Sequence, residues 1–374
     1  MSYQKLFDSA ISNEPVQAWR AQGKKAVGTI CCHIPEEIIR AAGILPIRLR
    51  ATGCEDSSNG DVWMSTFSCS FARSILECWL DGTYELDGII ASDGCLMASR
   101  IFDNAEYIDE KEGKGRLYHQ IGAPRIVNDL TVDYYVDELG DVIKKLEKLS
   151  GVKVTDEALK EYIGKYNEAR ALIQQIAELR KAENPVINGQ EFLSIILNYT
   201  DHPVEDYIVM LKAFLADVKN RKPHEDHRAR LMIIGSALDD PGYLKIIEDK
   251  GGLVVADALC FGTRSFPGQL EVDDSNVLQS IAKYYLERLV CPRMMDNRVE
   301  LHDYVIKTAK EYNVDGVIYE KMQYCECWGG ENVLLDDKLK EAGIPLLTVD
   351  REQKLANAGQ LAVRAEAFIE MIEK

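Results

Sequence analysis

Short apolar runs alternate with longer amphipathic stretches along the chain of 374 residues, the pattern that parallel α/β structure produces. Residues 26–30, 45–49, 88–92 and 118–121 make one set of expected strands, and 230–235, 253–256, 316–319 and 346–349 a second. Each run is mostly apolar with Gly, Pro or Asp nearby, as befits strands covered on both faces. Between the sets, roughly 132–222, the apolar positions shift to helical spacing: Leu139, Val142, Ile143, Leu146 and Leu149, then Tyr162, Tyr166, Ala169, Ile173 and Ile176. Thr155 followed by Asp156 and Glu157 reads as an N-cap with acids in the first turn. The expected fold is therefore α/β: two Rossmann-like lobes with parallel sheets joined by a helical region. The expected division is 1–130 for the N-terminal α/β lobe with Cys69 and Cys95, 131–228 for the helical connector, and 229–374 for the C-terminal α/β lobe with Cys325.

An internal echo supports two lobes of like topology. Leu86-Asp87-Gly88-Ile89-Ile90 resembles Val314-Asp315-Gly316-Val317-Ile318, and a cysteine follows each strand, Cys95 in one case and Cys325 in the other. The stretch His224-Glu225-Asp226-His227 before the second lobe reads as a solvated charged loop, although its two imidazoles could also ligate a metal.

Charge narrows the function. A net charge of −17 repels phosphate backbones, so neither nucleic acid nor an anionic membrane is an expected partner. A local basic pocket for a phosphorylated cofactor stays open, because net charge says nothing of one cleft. No run reaches the ~18 apolar residues of a membrane-spanning helix, and the first residues lack the apolar core of a signal peptide, so a cytoplasmic location is expected. Ten cysteines then need a reason, since a reducing compartment disfavours disulfides. About half can be small buried hydrophobes; the others are expected to bind metal or react.

Open α/β sheets bind ligands beyond the carboxyl ends of their strands. Cys95, Cys260 and Cys325 fall at or near such ends, and Cys69 falls at an expected helix start, where the helix terminus favours the ligating thiolate. Soft thiolates select zinc, copper(I) or iron–sulfur clusters. No Cys-x-x-Cys of a structural zinc site is present, nor a ferredoxin-like run. What remains is a site assembled from distant loops, or no site at all.

Three segments resemble the 2-hydroxyacyl-CoA dehydratase D-component and benzoyl-CoA reductase subunit family. They are Ile34-Pro35-Glu36-Glu37-Ile38-Ile39 with Ala41-Ala42-Gly43 and Pro46; Cys69-Ser70-Phe71-Ala72-Arg73-Ser74 with Leu86-Asp87-Gly88 and Gly94-Cys95; and Lys321-Met322-Gln323-Tyr324-Cys325-Glu326 with Gly343-Ile344-Pro345. Leu259-Cys260-Phe261-Gly262-Thr263-Arg264 and Val290-Cys291-Pro292 are similar to the reductase branch in particular. The resemblance implies a [4Fe–4S] cluster on Cys69, Cys95 and Cys325, with one iron left without a cysteine. It implies an acyl-CoA substrate, a homologous second subunit or a second copy of the chain, and an ATP-hydrolysing iron–sulfur activator that delivers a low-potential electron to form a ketyl radical anion. The alternatives are a double-cubane [8Fe–9S] reductase of small molecules, a non-catalytic electron-relay subunit, and a metal-free α/β binding protein. The chain departs from the family at Cys327, where many members have Pro; this thiol is a further ligand, a bridge to another cluster, or packed and inert. Cys31, Cys32, Cys260 and Cys291 stay unassigned, Cys54 falls in a polar loop, and Cys78 reads as core on a helix.

His33, just after the first strand, reads as a proton donor or as a packed, capping histidine; His119 has the same two readings. Glu36 and Glu37 open a helix whose dipole favours acids, and Glu37 could also face the cleft. Gly329-Gly330 is expected to permit a tight backbone after Cys325. No phosphate loop of the Walker type is present, so ATP chemistry is expected from another protein.

Overall fold

The computed structural model describes residues 2–288, 290–355 and 358–373, and in these the strands form two four-stranded parallel sheets. In the first, β1 (Ala26–Ile30), β2 (Leu45–Arg48), β3 (Gly88–Ser92) and β4 (Leu117–Ile121) take the order β2-β1-β3-β4. In the second, β5 (Ala229–Gly235), β6 (Gly252–Ala258), β7 (Gly316–Met322) and β8 (Leu346–Arg351) take the order β6-β5-β7-β8. One topology is used twice, so the chain is an α/β protein of two Rossmann-like lobes. Every residue of β1, β3, β5 and β6 is buried, which explains their continuous apolar character.

The Asp-Gly echo has a structural basis. The main-chain N–H of Asp87 donates to the Ala26 carbonyl at 2.7 Å, and its carboxylate accepts from the Ala26 N–H at 3.0 Å. Asp315 does the same to Arg230, at 2.8 and 2.9 Å. Each Asp thus pins the start of the central strand to its neighbour. The glycine that follows allows close approach: a Cβ on Gly88 would lie 2.0 Å from the Leu117 carbonyl oxygen, and one on Gly316 would lie 2.7 Å from Phe368 and Ile372.

The intervening helices include Asp129–Ser150, Asp156–Glu178, Gly189–Tyr199 and Val204–Asp217. Their starts follow local chemistry. Asn128 and Asn188 form capping boxes with Thr131 and Glu191, and Thr155 accepts from the Ala158 N–H at 3.3 Å. Tyr135, Leu139, Val142 and Leu146 pack into the core of the first lobe, while Leu193 and Leu197 pack into that of the second. The Val277–Glu287 helix, although it follows β6, buries Ile281 and Tyr285 against the first lobe.

The lobes are stitched by buried polar contacts. Arg50 pairs with Asp201 of the helical region, and the Asp239 carboxylate of the second lobe accepts from the Ala51 N–H and, at 2.6 Å, from the Gln353 amide. The Gln353 N–H donates to Ser70 Oγ at 2.7 Å. One expectation is corrected: Gly329 and Gly330 lie inside the Glu326–Glu341 helix with no other atom within 4 Å of a built Cβ, so they relieve no tight backbone. No helix among the described residues is long and apolar enough to cross a membrane.

Candidate thiol site between the lobes

Cys69, Cys95 and Cys325 occupy one kind of position. Each is the N-cap of a helix: Ser70–Leu80, Leu96–Lys111 and Glu326–Glu341 respectively. Cys95 Sγ accepts from the Ala98 N–H at 3.4 Å. The last two follow the carboxyl ends of β3 and β7, beside the crevice where the strand order reverses in each sheet. The turn before Cys325 is strained, with Tyr324 at φ 63°.

The three turns meet. The Leu96 N–H donates to Glu326 Oε1 at 2.8 Å, joining the turn after β3 to the turn after β7. The Phe71 N–H points at Met322 Sδ, 3.2 Å away, bringing the Cys69 turn to the end of β7. Cys69 is within electrostatic reach of Cys95 and Cys325, and Cys95 of Cys325. Burial pushes the Cys69 thiol up to about 12 and the Cys95 thiol up to about 11, against backbone N–H groups that favour the thiolate. Desolvation therefore outweighs the helix termini, contrary to the expectation that the terminus decides. Among the described residues, no three His, Cys, Asp or Glu side chains close around a single metal ion.

A second group of thiols adjoins the first. Cys31 and Cys32 follow β1, with Cys31 at φ 80°, and its Sγ lies 2.7 Å from the point where a Gly94 Cβ would stand. Cys32, Cys260 and Cys291 share the neighbourhood of Arg264, and Cys32 and Cys260 that of Arg48. Cys31 and the arginines Arg48, Arg288 and Arg264 hold the Cys32 thiol well below its usual range. Cys327 lies within electrostatic reach of Cys95, Cys291 and Cys325, and so connects the two groups. The arginines carry no local motif that marks them as part of a site; only Arg264, which shares a short segment with Cys260, had a hint in the sequence around that cysteine. Cys54 and Cys78 contact each other elsewhere, beside a cavity of about 800 Å³ whose lining includes Asp8, Glu55, Asp56 and Asp81. Such an acidic lining suits an anionic ligand badly.

His33 and Glu37 lie beneath this cleft, both 0% exposed. His33 Nε2 is 3.5 Å from Arg293 Nη1, and burial with Arg293 and Arg288 holds the imidazole well below its usual range, hence neutral. Glu37 pairs with Arg170 and accepts from the Tyr285 hydroxyl at 2.7 Å, so its carboxylate is directed into the interior. A Glu36 carboxyl oxygen lies 2.5 Å from the same hydroxyl, so the two carboxyls share its one proton. His119 lies on β4, half-buried, and burial lowers its pKa. His224 and His227 interact with Glu191 and with the His224 carbonyl and form no metal group.

The profile of the family described as 2-hydroxyglutaryl-CoA dehydratase, D-component, matches residues 31–372. The chain is 26% identical to the beta subunit of (R)-2-hydroxyglutaryl-CoA dehydratase from Acidaminococcus fermentans, over 97% of each chain. It is 23% identical to the beta subunit of (R)-phenyllactyl-CoA dehydratase from Clostridium sporogenes, over 94% of this chain and 92% of that one. It is 24% identical to a subunit of benzoyl-CoA reductase from Thauera aromatica, over 94% of this chain and 91% of that one.

Proposed function

The chain belongs to the 2-hydroxyglutaryl-CoA dehydratase, D-component, family, and from that premise we propose that it is the [4Fe–4S] subunit of a radical-type acyl-CoA dehydratase or reductase. The observation that carries this reading is the convergence of Cys69, Cys95 and Cys325, each at a helix N-terminus, from both lobes onto one cleft. The donor set fits the group. Thiolates suit iron–sulfur clusters, and a cluster spreads its ligands over separate irons, so the lack of a single-ion geometry does not count against it. A bound cluster supplies low-potential one-electron chemistry to an acyl-CoA thioester.

The chain's own contribution is the enclosure. The helix termini direct N–H groups at the three sulfurs. Cys69 is buried and Cys95 and Cys325 are half-buried, so the site is partly withdrawn from water. Deprotonation of thiols pushed up by burial accompanies uptake of the cluster, so loading releases protons. Electrons come from a separate ATP-hydrolysing iron–sulfur activator, and the working enzyme includes a homologous partner subunit, as the occurrence of the relatives as subunits of larger enzymes supports.

Purification under argon, with iron and acid-labile sulfide analysis, tests this. The wild type should carry about four irons and four sulfides per chain, and Cys95→Ala should lose most of both. Colourless wild-type protein would end the proposal. A second reading, a double-cubane [8Fe–9S] reductase working as a homodimer, is favoured by the adjacency of Cys31, Cys32, Cys260, Cys291 and Cys327 to the first three thiols. Iron near twice the expected content, with the matching electron paramagnetic resonance spectrum, selects it. A spectrum perturbed by added acyl-CoA excludes a pure relay role.

A further inference from the structure

Buried arginines in this chain usually meet a carboxylate. Arg50, Arg170, Arg180 and Arg351 pair with Asp201, Glu37, Asp257 and Glu320. Among the described residues Arg230 has no such pair, but its guanidinium is taken up by main-chain carbonyls from Arg180 to Glu183 and from Tyr312 and Asn313. Arg48, Arg264 and Arg288 are held in the same way, but beside the thiols Cys32, Cys260 and Cys291. Among the described residues none of them has a carboxylate at ion-pair distance, and their donors go to the backbone of the thiol-bearing loops. Arg48 donates to the Cys260 carbonyl at 2.7 Å, Arg288 to the Cys32 carbonyl at 2.7 Å, and Arg264 to the Val290 carbonyl, next to Cys291, at 2.7 Å. Arg48 and Arg264 are 9% and 2% exposed, and Arg288 Nε is buried without a partner. Glu36 lies at longer range of Arg48 and Arg288.

Burying a guanidinium without a counter-charge costs several kcal/mol, and this chain does it with Arg48 and Arg264 around one set of sulfurs, with the half-buried Arg288 beside them. Cys31, Cys32 and Cys260 beside Arg48, and Cys32, Cys260 and Cys291 beside Arg264, can carry compensating negative charge, Cys32 lies within reach of Arg288 as well, and Cys327 leads on to the main thiol site. We propose that Arg48, Arg264 and Arg288 are positioning residues that balance the negative charge of the iron–sulfur centre in this cleft and set its reduction potential. The inference rests on the iron–sulfur reading above. Reduction adds an electron to an already anionic centre, and fixed cations in a desolvated site favour the more negative, reduced state. Their removal should make the centre harder to reduce.

The test uses the anaerobically purified, iron-loaded full chain as wild type, Arg264→Gln, Arg264→Lys and Arg48→Gln. Iron and sulfide per chain are measured first, then a potentiometric titration followed by electron paramagnetic resonance. The expected result is full iron in every variant, with the ratio of reduced to oxidised centre in Arg264→Gln lowered about tenfold at fixed potential, or about 59 mV for a one-electron couple. Arg264→Lys, which keeps the charge and loses the planar fork, should restore most of the shift. Loss of iron in the Gln variant and not in the Lys variant would also support a charge role. An unmoved midpoint in Arg264→Gln with full iron overturns the proposal. So does an equal shift or equal iron loss in the Gln and Lys variants, which would reduce Arg264 to a brace for the Val290 carbonyl. If Arg264→Gln fails to fold, Arg48→Gln is read by the same criteria. Wild-type protein without iron would remove the underlying reading itself, a result distinct from any change among the variants.

Discussion

Glu37, a candidate for proton chemistry in the sequence, has its partners far away in the chain. It opens a helix within a motif, yet its carboxylate meets Arg170, 133 residues away, and the Tyr285 hydroxyl, 248 away. Neither partner is legible from local spacing. Glu37→Gln should leave Arg170 as an uncompensated buried cation and cost about 3–5 kcal/mol of stability, read from urea unfolding. A loss under about 1 kcal/mol would mean that the carboxylate is spare and free for chemistry. The cysteines divide the same way. Cys69 as a helix start and Cys95 and Cys325 beyond strand ends were readable, because a cap and a strand terminus are local features. The arginines around Cys32 and Cys260 were not, because their role is defined by what they lack, a carboxylate, and only packing reveals that.

Elements carried the clearest local signal. All the expected strands are present, since each apolar run is bounded by turn chemistry. β7 and β8 run past their expected ends, at 319 and 349, and the charged residues beyond those ends, Glu320 and Arg351, pair inside the sheet layer. Gly94 is a second element-scale constraint, for its missing side chain lets Cys31 Sγ lie against the turn that carries Cys95. Gly94→Ala should therefore lower the iron content of the purified chain by at least half while far-ultraviolet circular dichroism stays unchanged; full iron would show that Cys31 moves aside freely. Glu248 joins three elements, accepting from the N–H groups of Gly189 at 2.8 Å and of Gln190 and Val254 at 3.2 Å. Burial pushes its carboxyl up to about 7 from 4.5. The folded state then binds the proton more tightly than the unfolded state, so this stability is fully present below about pH 4.5 and is lost as pH rises through 7. The pH-dependent difference is on the order of 3 kcal/mol. Urea unfolding of wild type and Glu248→Gln at pH 5 and pH 7.5 checks it: the variant should lose less stability between the two pH values.

At the scale of the molecule, two lobes of one topology face each other across buried stitches. Asp239 is central, since it receives donors from both lobes, at Ala51 and at Gln353. Asp239→Ala leaves both donors unmet and should destabilise the chain by about 2–4 kcal/mol at roughly 1–2 kcal/mol per buried donor. Limited proteolysis should then cut first in the loops between lobes; an unchanged digestion pattern would mean that the stitch is incidental. The pairing of lobes also imposes an order in time. The bond between Leu96 and Glu326 joins positions 230 residues apart. At a synthesis rate of ~5–20 residues per second, roughly 10–50 seconds separate them on the ribosome. A nascent chain holds Cys69 and Cys95 long before it holds Cys325, so any inorganic group that spans both lobes can be completed only once Cys325 has been made, and a product terminated before it would present half a socket to the maturation machinery.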